Sequence, residues 1–158
     1  MLFEDELEPN CHPALPIIVA KWNKEVRAIL ICRAWKGVET HWYGNHTIAC
    51  CGTDSCPACD VGMQSVRKFY IAARSCRDDN QAILMITPTA AESIHHHRRQ
   101  DHGLLGMEVV LGRSAKRNTS PMTARVVNYH PDTSEFGQER LERVILRIFA
   151  ANAGLKSV

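Results

Sequence analysis

The chain of 158 residues contains no apolar run of about 18 residues, so an ordinary membrane-spanning helix is not expected. Its first ten residues, MLFEDELEPN, lack the basic start and apolar middle of a secretory leader. The cysteine pattern of a secreted disulfide framework is missing too. The seven cysteines are an odd number, and four of them are crowded between Cys50 and Cys59. These absences together lead to the expectation of a cytoplasmic protein, in a bacterium or a phage-infected cell, with no membrane partner. Aromatic residues are scarce at 6%, so any surface on which bases could stack must be small. Internal repeats and low-complexity segments are absent. A net charge of +2 says little about partners, but Glu4, Asp5, Glu6 and Glu8 are gathered at the start, which leaves the remainder more basic than the total. A hydrophobic content of 45% is ordinary for a globular chain and excludes wholesale disorder.

What the chain does have is the stretch His41 to Cys59, HWYGNHTIACCGTDSCPAC. It ends in Cys56-Pro57-Ala58-Cys59, where two thiolates two residues apart can grip one ion. Zinc takes four nitrogen or sulfur donors in a tetrahedron, and small structural sites bring them in as pairs from two short segments. The preferred set is His41, Cys50, Cys56 and Cys59, with Cys51, His46 or Cys32 as substitutes for one member. Gly44, Gly52 and Gly62 permit the tight turns that close such a knuckle, placed at residues 41–62. A redox reading of Cys-x-x-Cys would want a βαβ pattern around it, and none is visible.

Around this stretch, the acidic residues 1–16, with Pro9, Pro13 and Pro16, read as a loose arm on which Cys11 and His12 are incidental. Val26 to Arg33 reads as a strand with Cys32 in the core, followed by a turn at Gly37 and a short strand from His46 to Cys50. Arg67 to Cys76 and the run QAILMIT make a hairpin, with Cys76 as a buried thiol at a strand end. Thr89 to Glu92 has capping-box spacing and predicts a helix to about Asp101, carrying His95, His96, His97, Arg98, Arg99 and His102. Gly106–Gly112 and Met122–Tyr129 are two more strands. The loop between them, RSAKRNTSP, presents Arg113, Lys116 and Arg117 with no acid. A last helix, capped within Asp132 to Ser134 and running to about Asn152 with Gly154 beyond it, places Leu141, Val144, Ile145, Ile148 and Phe149 on one face. That face suits packing on its own domain, or contact with a partner or a second copy. About six short strands and two helices make the fold mainly β (α+β). The division is an arm at 1–16, an OB-fold-like small β-barrel at 17–130 with an inserted zinc knuckle, and a C-terminal amphipathic helix at 131–158.

A nucleic-acid surface needs cations interleaved with aromatics. Trp35, Trp42, Tyr43, Phe69, Tyr70 and Tyr129 stand beside Arg33, Lys36, Arg67, Lys68, Arg74 and Arg125. Phe69 and Tyr70 point to opposite faces of a strand, so at most one is free. The order His41, Cys50, Cys56-Pro57-Ala58-Cys59, with AILICRAW upstream and KFYIAARSC and QAILMITPTAAESI downstream, resembles the single-stranded DNA-binding proteins of T-even phages over residues 26–130. The resemblance implies an oligonucleotide-binding barrel, a structural Zn2+, no enzyme activity, and a single-stranded nucleic acid, DNA, as partner in replication or recombination. The contact residues would be Arg33, Trp35, Lys36, Arg67, Lys68, Tyr70, Arg74, Arg113, Lys116, Arg117 and Arg125. The shorter cysteine spacing and the acidic arm depart from that family, so its arm- and tail-mediated properties do not carry over. A zinc deaminase is excluded: Glu39-x-His41 and Cys-Pro both run in the wrong order. A His-Asn-His nuclease using His41, Asn45 and His46, or a zinc-stabilised protein-interaction module, are the other readings.

Overall fold

In the computed structural model, residues 15–44, 46–50 and 56–156 are described, with 150–156 as backbone only. Glu4, Asp5, Glu6, Glu8, Cys11 and His12 of the acidic arm lie outside the described residues, as do Asn45, Cys51 and Gly52. Eight strands and three helices follow in the order β1 (Ile17–Ile18), β2 (Val26–Leu30), β3 (Lys36–Tyr43), β4 (His46–Ala49), α1 (Pro57–Asp60), β5 (Val66–Ser75), β6 (Gln81–Ile86), α2 (Pro88–His95), β7 (Met107–Arg113), β8 (Met122–Tyr129) and α3 (Gln138–Lys156). Among the described residues strand outweighs helix, so the fold is mainly β with a C-terminal helix. The sheet runs β1-β6-β5-β2-β7-β8, with β3 added to β5 and β4 to β3. Only β1 and β6 pair in parallel. No ladder among the described residues joins β1 to β8, so the sheet is open and mixed.

β5 organises this sheet. Its first half, Val66 to Tyr70, pairs with β3, while Ala73 to Ser75 pair with β2 on the same edge. Along the other edge, Phe69 to Arg74 pair with β6. The small pair Ala72 and Ala73 sits at the crowded centre, where both are buried. Leu30, Ile71, Ile83, Leu84, Ile86 and Leu111 fill the surrounding core. Each contributes about 1.5–3 kcal/mol by leaving water.

Several elements differ from the expectation. Gly37 lies inside β3 opposite Phe69 and makes no turn. A Cβ there would meet Arg67 Nη2 at 2.8 Å, so glycine leaves room for the guanidinium to lie on the strand. Cys76 does end a strand, but it is exposed. For α2 the N-cap is Thr87, not Thr89, and its side chain makes no capping bond; Pro88 opens the helix instead. That helix stops at His95, so His96 to His102 follow in turns, bridged by Arg99 and Gly103. α3 starts later than Asp132 to Ser134 because the preceding chain is held on the sheet: Phe136 N–H donates to Ile31 O at 2.7 Å, and Gly137 takes φ +95°. Gly154 lies within the helix. Leu141, Ile145 and Phe149 are buried, with Val144 and Ile148 packed against the same core. Phe149 meets Tyr70 edge-on at 5.6 Å, so the apolar stripe of α3 is used on the protein's own sheet.

Candidate metal centre and nucleic-acid interface

The metal centre grows from the β3–β4 hairpin, whose turn at Gly44 takes φ +59°. Cross-strand register sets His41 opposite Ile48 and Tyr43 opposite His46. His41, Ile48 and, two residues beyond it, Cys50 therefore share one face. The Cys50 N–H donates to Glu39 O at 2.7 Å and fixes the end of that strand. The second donor pair comes from α1, with Cys56 as N-cap and Pro57 opening the turn. A single helical turn brings residues three apart onto one side, which aligns Cys56 with Cys59. Asp60 N–H to Cys56 O, Gly62 N–H to Cys59 O and Met63 N–H to Ala58 O, each 3.0 Å, lock the turn, and Gly62 at φ +80° lets the chain leave.

The donor atoms of His41, Cys50, Cys56 and Cys59 all lie within 4.8 Å of one another. Cys50 Sγ is 3.5 Å from Cys59 Sγ, and Cys59 Sγ is 3.5 Å from His41 Nε2. Ordinary zinc bond lengths in a tetrahedron imply about 3.8 Å between sulfurs and about 3.5 Å between sulfur and nitrogen. The donors thus stand close to where an ion would hold them. His41 Nδ1 is 3.2 Å from Gln64 O. Donation there requires the proton on Nδ1, which leaves the Nε2 lone pair for a metal. Crowding by the Cys50 thiol first, then burial and Cys56, pushes the Cys59 thiol up to about 12. A divalent cation reverses that balance by stabilising thiolates. Zinc therefore fits, and four protein donors leave it no open position for water, the arrangement of a structural site.

The substitutes for these ligands fall away in different manners. Cys32 is fully buried in the main core, where burial pushes its thiol up to about 11. His46 shares the ligand face but stays outside the cluster, and its Nε2 has no hydrogen-bond partner among the described residues. Cys51 is outside the described residues. Ile48, Cys56 and Ala58 form a small buried cluster of their own beneath Tyr43, Cys50 and Cys59.

The cations expected to meet nucleic acid are dispersed. Arg33 donates to Glu135 at 3.0 Å and to Asp101 O at 2.7 Å, and Lys36 lies 3.9 Å from Glu142. Arg74 pairs with Asp79 at 2.9 Å. Arg67 pairs with Glu39 at 3.0 Å and holds that carboxyl below its ordinary range. Arg113 is tied to Ala20 O at 2.9 Å and Ser120 O at 3.0 Å. Lys68 is half-buried, and its pKa is lowered by burial and then by the charge of Arg113. Lys116, Arg117 and Arg125 are exposed. Tyr70 is buried beneath α3, with its hydroxyl pushed up to about 12 by burial, so it offers no stacking face.

Phe69 takes that place on the opposite face of β5. Its ring centroid lies 5.3 Å from Trp35, which in turn lies 5.9 Å from His95. The Arg67 guanidinium sits 5.8 Å above Phe69. Trp35 and Phe69 are half-buried and His95 exposed, and the basic turn with Arg98 and Arg99 follows directly. Alternation along β5 already separates Phe69 from Tyr70; only the position of α3 decides which one is covered. His95 carries no sequence signal beyond the histidine run. Trp42 is 61% exposed on the far side of the hairpin, Tyr43 packs on the knuckle, and Tyr129 lies under Arg99 at 4.0 Å.

No family model, curated protein or solved structure matches the chain. Nor is any helix among the described residues long and apolar enough to cross a membrane.

Proposed function

We propose that the protein binds single-stranded nucleic acid, DNA in the first place, as a non-enzymatic protein whose Zn2+ is structural. The observation that carries this reading is the group of half-buried Trp35 and Phe69 with exposed His95, where the Arg67 guanidinium lies over Phe69 and the basic turn at Arg98 and Arg99 follows. Trp35 and Phe69 offer ring edges and faces to a base, and the neighbouring cations meet its phosphates. Stacking of this kind contributes about 1–3 kcal/mol per base and tolerates any sequence. The open mixed sheet is, on this reading, the counterpart of an oligonucleotide-binding barrel, and the knuckle pattern carries the likeness to the T-even phage proteins. Coating of single strands in replication or recombination is the role that goes with it. What weighs against the rival reading, a protein-interaction module docking through α3, is the burial of Leu141, Ile145 and Phe149 on the sheet, although Leu146 of the same helix is exposed.

The test is a titration of the zinc-loaded protein with a fluorescent, unstructured oligonucleotide at several salt concentrations. Affinity is expected to fall steeply and linearly on a log–log plot as salt rises. Binding that ignores salt, or no binding at about 50 mM salt, overturns the proposal.

A further inference from the structure

Two loops far apart in sequence are joined into one basic surface. Lys21 and Lys24 close a tight turn through reciprocal backbone bonds of 3.4 and 3.2 Å, which sets Trp22 at the tip with 47% of its surface exposed. The Trp22 N–H donates to Asn118 Oδ1 at 3.0 Å, and Arg113 Nε donates to Ala20 O at 2.9 Å, so the turn is tied to the β7–β8 loop at two points. That loop is itself built around a buried side chain. Ser120 is 2% exposed, donates its hydroxyl to Arg117 O at 2.7 Å, and accepts from the Ala115 N–H at 3.3 Å. Arg113 Nη1 and Ser114 N–H add bonds to Ser120 O and Pro121 O, of 3.0 and 2.9 Å.

The joined tips read AKWNK and RSAKRNTSP, without an acid between them. Lys21, Lys24, Lys116 and Arg117 are exposed and form no ion pair with a described residue. They contrast with Arg33, Arg67 and Arg74, whose charges are answered by carboxylates.

We propose that the joined Lys21–Lys24 and Ser114–Ser120 loops are a second contact for single-stranded nucleic acid, with a base stacked on Trp22 and phosphates held by Lys21, Lys24, Lys116 and Arg117. The inference rests on the single-strand reading above and adds to it a separate site that lengthens the bound segment. An exposed indole on a tied turn, among cations that form no ion pair with a described residue, matches a base and its flanking phosphates. An anionic membrane surface would be met better by a broad apolar helix face than by one ring.

The experiment compares the zinc-loaded full chain with Trp22→Ala, Trp22→Phe, Lys116→Ala/Arg117→Ala and Trp35→Ala, using oligothymidylates of about 8 and about 20 nucleotides. Trp22→Ala is expected to weaken the long oligonucleotide about 5- to 150-fold, the equivalent of losing one stacked base, and the short one much less. Trp22→Phe should restore most of that loss. The double variant should lower the slope of the salt dependence by about 2. Wild-type-like binding and salt slope in the Trp22→Ala and double variants, with loss only in Trp35→Ala, overturns the second contact and leaves the first standing. If the unsubstituted protein binds neither oligonucleotide, both readings fall. Binding to vesicles containing phosphatidylserine that is abolished by the Trp22 and Lys116/Arg117 substitutions, with oligonucleotide affinity untouched, assigns the surface to membranes and overturns the inference.

Discussion

Removing a bound metal should unfold the knuckle and spare the main core. The small cluster beneath the four ligands has only Ile48, Cys56 and Ala58 fully buried, worth about 4 kcal/mol from burial. Ordering each residue of backbone costs about 1–2 kcal/mol, so that burial offsets only a few residues of β4 and α1. Structural zinc sites contribute about 10–16 kcal/mol at neutral pH, so a zinc ion held there would be the dominant stabilising contact. The main core, with Leu30, Ile71, Leu84 and Leu111 fully buried, does not depend on it. Hydrogen exchange of the zinc-loaded protein, with and without a chelator, reads both parts at once. The amides of Cys50, Asp60, Gly62 and Met63, which close the knuckle, should lose at least about a thousandfold in protection, since each 1.4 kcal/mol is tenfold. Those of β2, β7 and β8 should change little. Cys56→Ser should reproduce the pattern with zinc present and lower metal affinity on the order of 100-fold or more. Retained protection in the chelated protein, or purified protein without one equivalent of metal, would refute the reasoning.

Trp35→Ala and Phe69→Ala should each weaken oligonucleotide binding by about 1–3 kcal/mol, beyond the modest fall in Tm expected for rings that also pack on the core. Tyr70→Ala, in contrast, removes a buried ring against Phe149 and should cost about 3–5 kcal/mol of stability by chemical denaturation. Glu108 is a buried carboxylate that accepts from His130 Nε2 at 2.7 Å and from Arg27, and these partners, His130 first, hold it below its ordinary pKa of 4.5. A depressed folded pKa means that its stabilisation is complete above pH 4.5 and is lost as pH falls through the lower folded value. Glu108→Gln should therefore flatten the acid limb of a denaturation-versus-pH curve; an unchanged limb would remove Glu108 from the account. Gly106→Ala should destabilise by more than about 1 kcal/mol in thermal melts, because Gly106 sits at φ +90° and a Cβ would lie 2.5 Å from His130 O.

The candidate metal cluster could be read from the residues alone because a metal would impose a covalent-scale rule. Cys56 and Cys59 must be near each other whatever the rest of the chain does, and His41 and Cys50 are within reach of a single hairpin. β3 could not be read in the same way. Its sequence KGVETHWY has no clean alternation, and Gly37 imitates a turn when its purpose is to make room for Arg67, thirty residues away in the chain. The choice between Phe69 and Tyr70 was half legible: the period of two separates them, but which one is covered depends on where Phe149 comes to rest. The cations show the same limit. Composition marks Arg33, Arg67 and Arg74 as available, and only tertiary placement reveals Glu135, Glu39 and Asp79 against them. Trp22 escaped notice because its meaning comes from Asn118, a neighbour in space alone. The start of α3 was misjudged because the chain before it gives up helical bonding for one contact with Ile31.

A single strand borders both the hairpin that supplies His41 and Cys50 and the sheet that holds the core, and it also carries Phe69. Such sharing couples the hairpin to the edge of the sheet that carries Phe69. Loosening the hairpin would strip Val66 to Tyr70 of one set of ladder bonds, so any ion held by His41 and Cys50 would be felt at Phe69, a residue it never touches.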